Sequence, residues 1–600
     1  MNITRILVIA LIAAAIGGYF LFNLDHYLTL NYVQSRFAEI QQFQNENFTL
    51  TALIYFSVYV MIAALSIPGA AIISLLGGAI FGLGWGIIIV SFASSIGATL
   101  AFLVSRSLLR DWVQNRFGGY LALINRGIEK DGNFYLFSLR MVPLFPFFMV
   151  NLVMGLTPIR AGSFYVVSQA GMLLSTAVYV NAGSELGQIS SLSELMSGPV
   201  IISLVLLGLF PFGARFLVNI IQRRSIMRKF SKPVRFDANV VVIGAGSAGL
   251  VASLIIARAK AKVILIEKNR MGGDCLNTGC IPSKSFIRSG RIMSYIRRAT
   301  EFGIDNASAD ANFSNIMARV NKIITKIEPH DSVERFTSLG VECVIGGARI
   351  ESPYTVSVNG RSINTRSIIL ATGARPIVPT IPGLEEIDYL TSDTVWSLQE
   401  LPRRLLVVGG GPMGCELAQA FHNLGSEVTQ VDMASRLLPR EDPEVSQAVM
   451  DKFIGDGIKV ITGCQLDSFG NDGGQLFIKI RHQQEEKRVY FDNVLLAIGR
   501  KPNVEGFGLE ELGVPLTPQG GVQVDNAMRT AYPNIYACGD VATLYQFTHM
   551  ASFQAWFAAL NALTGSLWLS RAKYNVVPWA TFPDPEVARV GLSEQEAKEQ

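Results

Sequence analysis

The sequence predicts two fold classes in tandem: an N-terminal α-helical polytopic membrane domain with re-entrant segments, then an α/β unit holding two domains of the strand, glycine-turn and helix kind. Three observations predict this. Residues 1 to about 222 carry long apolar runs with few charges, whereas most of the 51 Lys+Arg and 47 Asp+Glu lie beyond them. In the charged part, apolar strands run twice into glycine turns, at Gly244 and again at Gly409. Between the turns stand two cysteines in the run Gly272-Gly273-Asp274-Cys275-Leu276-Asn277-Thr278-Gly279-Cys280-Ile281-Pro282-Ser283-Lys284. A chain of 600 residues implies several domains, because single cores stop growing at about 250 to 300 residues. The net charge of +4 is small and its excess lies near residues 215 to 235, so no nucleic-acid partner is expected.

Apolar stretches near 6–24, 48–66, 85–104, 164–182 and 199–220 approach the ~20 residues needed to cross a bilayer, which predicts five crossings. The first, Ile6 to Phe22, reads as a retained anchor, since only Arg5 precedes it and no small-residue cleavage site follows. Two further apolar segments are interrupted. One runs from Ile67-Pro68-Gly69 through Gly77, Gly78, Gly82 and Gly84, the other from Met141-Val142-Pro143 through Pro146 and Gly155 to Pro158. Proline removes an amide donor that lipid cannot replace, so these segments read as re-entrant half-helices lining a protein-enclosed space, the pattern of a transporter-type site. Arg140 beside the second would cost a few kcal/mol facing lipid, so it is expected to face a cavity or a carboxylate; the alternative is snorkelling to the headgroups. Gly82, Gly84, Gly86 and Gly97 read as helix-packing contacts.

Orientation follows from charge. Arg215, Arg223, Arg224, Arg228, Lys229, Lys232 and Arg235 form a basic collar, while the loop from Glu185 to Gly198 has no Lys or Arg. The positive-inside rule predicts a multi-pass inner-membrane protein with its α/β unit in the cytosol. The string from Phe134 through Arg140 to Pro146, then Gly155-Leu156-Thr157, resembles the SNARE-associated (DedA) membrane family, as does Gly97-Ala98-Thr99-Leu100-Ala101-Phe102; the likeness covers roughly residues 60 to 185. It implies membrane lipids as partners and lipid scrambling or proton-linked transport.

In the α/β unit, Val240-Val241-Val242-Ile243 feeds Gly244, Gly246 and Gly249 and then an alanine-rich helix. Such glycines bring backbone close to a pyrophosphate seated on the helix N-terminus, and Glu267, 18 residues beyond Gly249, suits a bond to an adenosine ribose. Leu405 to Val408 repeat the pattern into Gly409, Gly411 and Gly414, with Asp432 ending the next strand. Two dinucleotide sites in one chain imply electron transfer between two cofactors. Asp432 would accept from a 2'-hydroxyl and repel a 2'-phosphate, which favours NADH over NADPH, with Arg436 nearby as the opposing influence.

The cysteine run, set between these turns, resembles the active-site segment of the class I pyridine nucleotide-disulfide oxidoreductases, flavoproteins of the mercuric reductase and dihydrolipoamide dehydrogenase kind. So do Ile368 to Gly373, Leu495 to Arg500, and Ile535-Tyr536-Ala537-Cys538-Gly539-Asp540-Val541; the likeness covers roughly residues 238 to 600. It implies FAD and NAD(P)H as cofactors, with Gly373 and Asp540 at the FAD site, although Asp540 could instead cap a turn. It makes Cys280 the thiolate beside the flavin and Cys275 the outer thiol, and pairs Lys284 with Glu416 near the flavin. A helix starting near Pro282 would lower the thiol pKa. Electrons are then expected to pass from NADH to FAD to Cys275-Cys280 to a small-molecule or protein disulfide or a metal-ion substrate. The division implied is 1–237 membrane domain with basic linker, 238–391 and 513–570 the two parts of an FAD domain, 392–512 an NAD(P) domain, and 571–600 the start of a dimer-interface domain.

Cys343, Cys415, Cys464 and Cys538 read as inert buried thiols, no zinc spacing occurs, and no resident metal is expected. The resemblance also implies a homodimer whose partner subunit donates a His-Glu pair. None of the five histidines, His26, His330, His422, His482 and His549, occupies that position, so the interface domain is expected to be cut short. His549 reads as a packed, hydrogen-bonded histidine. The rival function is a lipid or ion transporter with a redox-sensing flavoprotein domain; a quinone reductase is disfavoured by the cysteine pair.

Overall fold

The structure, a computed structural model, describes residues 37–67, 69–108, 133–141, 146–187, 198–542, 545–565 and 569–599. It divides into two compact units, Met1–Arg224 and Ser225–Gln600.

The first unit is helical because an apolar solvent leaves backbone amides no partners but one another. Helix α1 (Phe37–Glu46) meets α2 (Phe48–Ala64) at a bend of 117°. Among the described residues three helices are long and apolar enough to cross a membrane, or four if the bent pair is one span; the predicted crossing at 6–24 lies outside them.

Helix α3 (Ala70–Leu108) is not one rod. Gly82 takes φ 68° and ψ −174°. A Cβ on Gly86 would lie 3.2 Å from the carbonyl oxygen of Gly77, whereas nine residues of straight helix advance about 13 Å. The chain therefore doubles back at Gly82, and residues 70–81 form the short arm of a hairpin, the first of the two expected re-entrant segments. A Cβ on Gly183 would stand 1.9 Å from the Leu75 carbonyl oxygen, so this arm packs backbone to backbone on α6 (Ala161–Gly187), introduced by α4 (Asn133–Met141) and α5 (Phe147–Gly155). Over their described nine residues apiece, α4 and α5 are each about 13 Å long, short of a hydrocarbon core of roughly 30 Å. Pro143, between them in sequence, lies outside the described residues. Helix α7 (Gly198–Met227) carries Pro211 and closes the unit's sequence.

Arg140 corrects its expectation. It is 6% exposed, so it does not snorkel, and among the described residues no carboxylate pairs with it. Its guanidinium donates to Asn151 Oδ1 at 2.6 Å and Ser168 Oγ at 3.0 Å and lies 5.0 Å from the Phe164 ring centre. Both described acceptors are neutral oxygens, and residues 133–184 contain no Asp or Glu. Arg106 donates to the carbonyls of Gly155, Thr157 and Ile159, capping the end of α5.

The second unit opens with β1 (Ala238–Ile243), α8 (Ser247–Arg258) and β2 (Val263–Glu267), then α9 (Gly273–Asn277) and α10 (Cys280–Arg297). Next come β3 (Val341–Ile345), β4 (Ala348–Ser352), β5 (Thr355–Val358), β6 (Arg361–Leu370), β7 (Ala374–Pro376) and β8 (Tyr389–Leu390). The opening pattern then repeats as β9 (Arg404–Val408), α11 (Pro412–Leu424) and β10 (Glu427–Val431). After it follow β11 (Lys459–Ile461), β12 (Gln465–Asp472), β13 (Gln475–His482), β14 (Glu485–Phe491), β15 (Asn493–Leu496) and β16 (Arg500–Pro502). The last elements used here are β17 (Ile535–Ala537), α12 (Thr548–Thr564), β18 (Pro578–Thr581) and β19 (Val587–Val590).

Strands β3-β2-β1-β6 run parallel, with β17 beside the end of β6; the beginning of β6 instead pairs antiparallel with β5. The central strands β1 and β2 are near-continuous apolar runs, as suits strands covered on both faces. Val240, Val242 and Leu265 pack with Ala252 of α8 and Ala555 of α12; Val241 and Ile264 pack with Val356 and Ile363. The second sheet, β11-β10-β9-β15-β8, is parallel as well, and α10 packs on α11 through Phe286 and Phe421. The chain leaves the first sheet along β7 and returns along β16, and these two crossings pair antiparallel.

Candidate active site

The two glycine turns are built alike. Gly244 and Gly409 have φ of 101° and 121°, and a Cβ on either would lie 2.3 Å from a carbonyl oxygen, that of Ala371 or Ala497. Gly249 and Gly414 let each helix press on its own turn: a Cβ there would stand 1.8 Å from the Gly244 oxygen and 2.1 Å from the Gly409 oxygen. Gly246 and Gly411 differ. They open onto a cavity, with no protein atom closer than 3.8 Å to a Cβ on Gly246 and none within 4 Å on Gly411. That spacing leaves room for a pyrophosphate at the N-termini of α8 and α11.

Glu267 and Asp432 stand on the cavity wall beside their turns. Glu267 accepts from Ala245 N at 2.6 Å and Asn269 N at 2.8 Å; Asp432 accepts from Gly410 N and, at 2.5 Å, from Ala434 N. Each carboxylate keeps lone pairs for a ribose hydroxyl. Arg436 spends its guanidinium on Pro439 O at 3.2 Å and Glu441 O at 3.0 Å.

One cavity of about 2100 Å³ reaches both turns, Gly373, both cysteines, Lys284, Glu416 and Asp540. Its walls fit a flavin dinucleotide: an open glycine floor at Gly246, an acid at Glu267, and Asp540, whose carboxyl burial pushes up to about 6. Gly373 is held where Thr372 Oγ1 donates to Asn503 O at 2.7 Å, Asn503 Nδ2 returns a bond to Thr372 O at 2.9 Å, and Asn503 N donates to Gly373 O at 2.9 Å.

Cys275 lies in α9 and Cys280 opens α10, two residues before the expected start, because Gly279 is the N-cap and Pro282 is tolerated in a first turn whose amides lack partners. Both are free, part-buried thiols. Their acidities are pushed apart. A hydrogen bond from Cys275 lowers the Cys280 pKa, helped by Thr548 and Lys284 against burial; the same bond and burial push Cys275 up. Cys280 Sγ lies 3.3 Å from Thr548 Oγ1 at the first turn of α12. Lys284 Nζ pairs with Glu416 Oε2 at 2.9 Å across the α10–α11 contact and sits 4.7 Å from the Phe582 ring centre, while Phe582 N donates to Glu416 Oε1 at 3.1 Å.

Two residues with a place here were not singled out from the sequence. Thr548 could have been found through its neighbour His549, and Arg500 as the charged end of a string valued only for its turn. Arg500 pairs with Asp274 and approaches Asp540 at 3.8 Å. His549 stacks on Phe547 with Nε2 2.7 Å from Pro578 O. Cys415 and Cys538 are buried, and burial pushes both thiols up to about 12; Cys464 is buried too, while Cys343 is only partly covered. Among the described residues no group of three or more His, Cys, Asp or Glu could hold a metal.

Comparison with known proteins agrees with this geometry. The sequence profile described as pyridine nucleotide-disulphide oxidoreductase matches residues 238–555, and that of the VTT domain, the SNARE-associated type, matches residues 67–185. Mercuric reductase of Bacillus cereus is 34% identical over 364 residues, 61% of this chain and 57% of that protein. Mercuric reductase of Staphylococcus aureus is 35% identical over 60% of this chain and 66% of its own length. The chain thus spans less than two thirds of either mercuric reductase. Dihydrolipoyl dehydrogenase of Chlamydia trachomatis is 37% identical over 60% of this chain and 77% of its own length. Among solved structures, the HOCl-induced flavoprotein disulfide reductase RclA from Escherichia coli is 27% identical over 60% of this chain and 79% of its own, with a TM-score of 0.53. With a membrane-type helical domain ahead of it, this chain belongs to the pyridine nucleotide-disulphide oxidoreductase family, whose members use FAD and NAD(P)H.

Proposed function

We propose that the chain is a membrane-tethered, FAD-dependent NAD(P)H oxidoreductase that reduces a disulfide or a metal ion through Cys275 and Cys280. The observation that carries this reading is the unequal thiol pair, Cys280 pushed toward thiolate and Cys275 toward thiol, on the wall of the cavity that both glycine turns share. The flavin and nicotinamide supply, when bound, the hydride chemistry that brings two electrons to the pair. Gly244, Gly246, Gly249, Glu267, Gly373 and Asp540 hold the first, and Gly409, Gly411, Gly414 and Asp432 hold the second, with NADH preferred. The chain's own dithiol performs the substrate step. Cys275 passes its proton to Cys280 and attacks a substrate disulfide; the first substrate thiolate leaves and takes that proton from Cys280, whose thiolate then attacks the Cys275 sulfur of the mixed disulfide. The second substrate thiolate departs as the Cys275–Cys280 disulfide closes, so two electrons have moved. Lys284, paired with Glu416, keeps a cation beside Cys280 while it is charged.

The domain division given by the sequence accompanies this reading, with residues 571–600 opening an interface domain of a homodimer. The basic collar supports a multi-pass inner-membrane placement with the flavoprotein domain in the cytoplasm. A second reading, in which the membrane domain moves a lipid or ion and the flavoprotein domain senses redox state, is favoured by the Gly82 hairpin and the buried Arg140.

The test of the first reading is optical. Purified protein should be yellow, and anaerobic reduction should raise a long-wavelength thiolate-to-flavin absorbance that Cys280→Ser removes. Colourless protein with intact secondary structure overturns the reading.

A further inference from the structure

Asp274 and Asp540 stand far apart in sequence, and Arg500 stands between them. Asp274 precedes Cys275 in α9, Asp540 follows β17, and Arg500 begins β16 where the chain returns from the second sheet. The Arg500 guanidinium pairs with Asp274, lies 3.8 Å from Asp540 and donates to Ala374 O at 2.7 Å, which fixes it to β7. The side chains of Arg500 and Asp540 are 17% and 21% exposed, and all three residues line the cavity.

The charges around this point do not balance without Arg500. Asp274 is faced by Asp393 and Glu267, and Asp540 by Asp274 and Cys280; burial pushes both carboxyls up, and Arg500 opposes it at each. Cys280 is faced by Cys275, Thr548, Lys284 and Glu416, and by Asp540. Lys284 is committed to Glu416, and Arg500 is the cation paired with Asp274 and set 3.8 Å from Asp540.

We propose that Arg500 is a positioning residue for the thiol pair: it ties the start of α9 to the strand end that carries Asp540, and its charge offsets the two carboxylates that stand beside the cysteines. This rests on the reading of Cys275 and Cys280 as the redox centre. A guanidinium suits the task because its planar fork serves three oxygens at once, which an ammonium on a flexible stem does not hold in one geometry.

The experiment measures the pH dependence of iodoacetamide labelling at Cys280 in the reduced, full-length protein, read by mass spectrometry of the Cys280 peptide. Removing a cation disfavours thiolate, so Arg500→Gln should move the labelling midpoint upward by about one pH unit, tenfold in proton concentration. Asp274→Asn removes an anion and should move it downward, and Arg500→Lys should recover most of the Arg500→Gln shift. An unmoved midpoint in Arg500→Gln overturns the proposal. If that variant does not fold, Asp274→Asn decides alone, and a midpoint that stays or rises overturns it. The labelling needs no flavin, so this result stands apart from the colour and absorbance on which the redox reading depends.

Discussion

Asp432 at the end of β10 and Glu267 at the end of β2 do the same local work, each tying the backbone of the glycine turn that precedes it. Spacing alone placed both acids in the sequence; their bonds to the turns were not legible, since these depend on how Gly409 and Gly244 fold the backbone back on the strand. The same limit hid Arg500, whose partners come from 226 and 40 residues away. It also set α10 two residues early, because a glycine N-cap leaves no side-chain signature. For Asp432 the structure sharpens an expectation. Arg436 donates through Nη2 into its own loop, so on the proposed reading Asp432 would meet a 2'-substituent without that guanidinium competing. The bond to a 2'-hydroxyl and the repulsion of a 2'-phosphate together reach ~1 to 3 kcal/mol, about 5- to 150-fold. With artificial electron acceptors, kcat/KM should favour NADH in the parent, and Asp432→Ala should reduce that preference by such a factor. An unchanged ratio would confine Asp432 to holding the turn.

At the scale of elements, a first helical turn with three glycines separates two duties that the sequence runs together. Gly414 is closed by protein, its Cβ position 2.1 Å from the Gly409 oxygen; Gly411, at φ −75°, opens to the cavity. Gly414→Ala should therefore overpack the contact of α11 with its turn and cost ~1 to 3 kcal/mol, lowering the Tm of this unit. Gly411→Ala should leave the Tm alone and raise the KM for NADH roughly tenfold, equivalent to ~1.4 kcal/mol of binding. Thermal melts and initial rates on the two variants check both halves; equal Tm losses would contradict the division. In the membrane unit, Pro68, Gly82 and Pro143 marked both interruptions in the sequence. The fold-back at Gly82 was not legible, because a glycine in an apolar run reads equally as a packing contact.

For the whole molecule, the order of a helical apolar domain followed by an α/β flavoprotein unit was readable, since motif spacing survives folding, whereas the partners of Arg140 were not: neutral oxygens stand where a cavity or a carboxylate was expected. The two functional readings separate here. Full-length protein in liposomes should, if the membrane domain is an anchor, give lipid or ion flux no higher than protein-free vesicles, with or without Arg140→Ala. Flux that Arg140→Ala abolishes and Cys280→Ser leaves intact would make transport primary. The reciprocal bonds of Thr372 and Asn503 carry a last consequence. They fasten the outgoing crossing to the returning one, and Lys284 with Glu416 fastens α10 to α11. A swing of one nucleotide sheet away from the other would have to break the Lys284–Glu416 pair and part Phe286 from Phe421 where α10 packs on α11, while the paired crossings would move as one two-stranded strap.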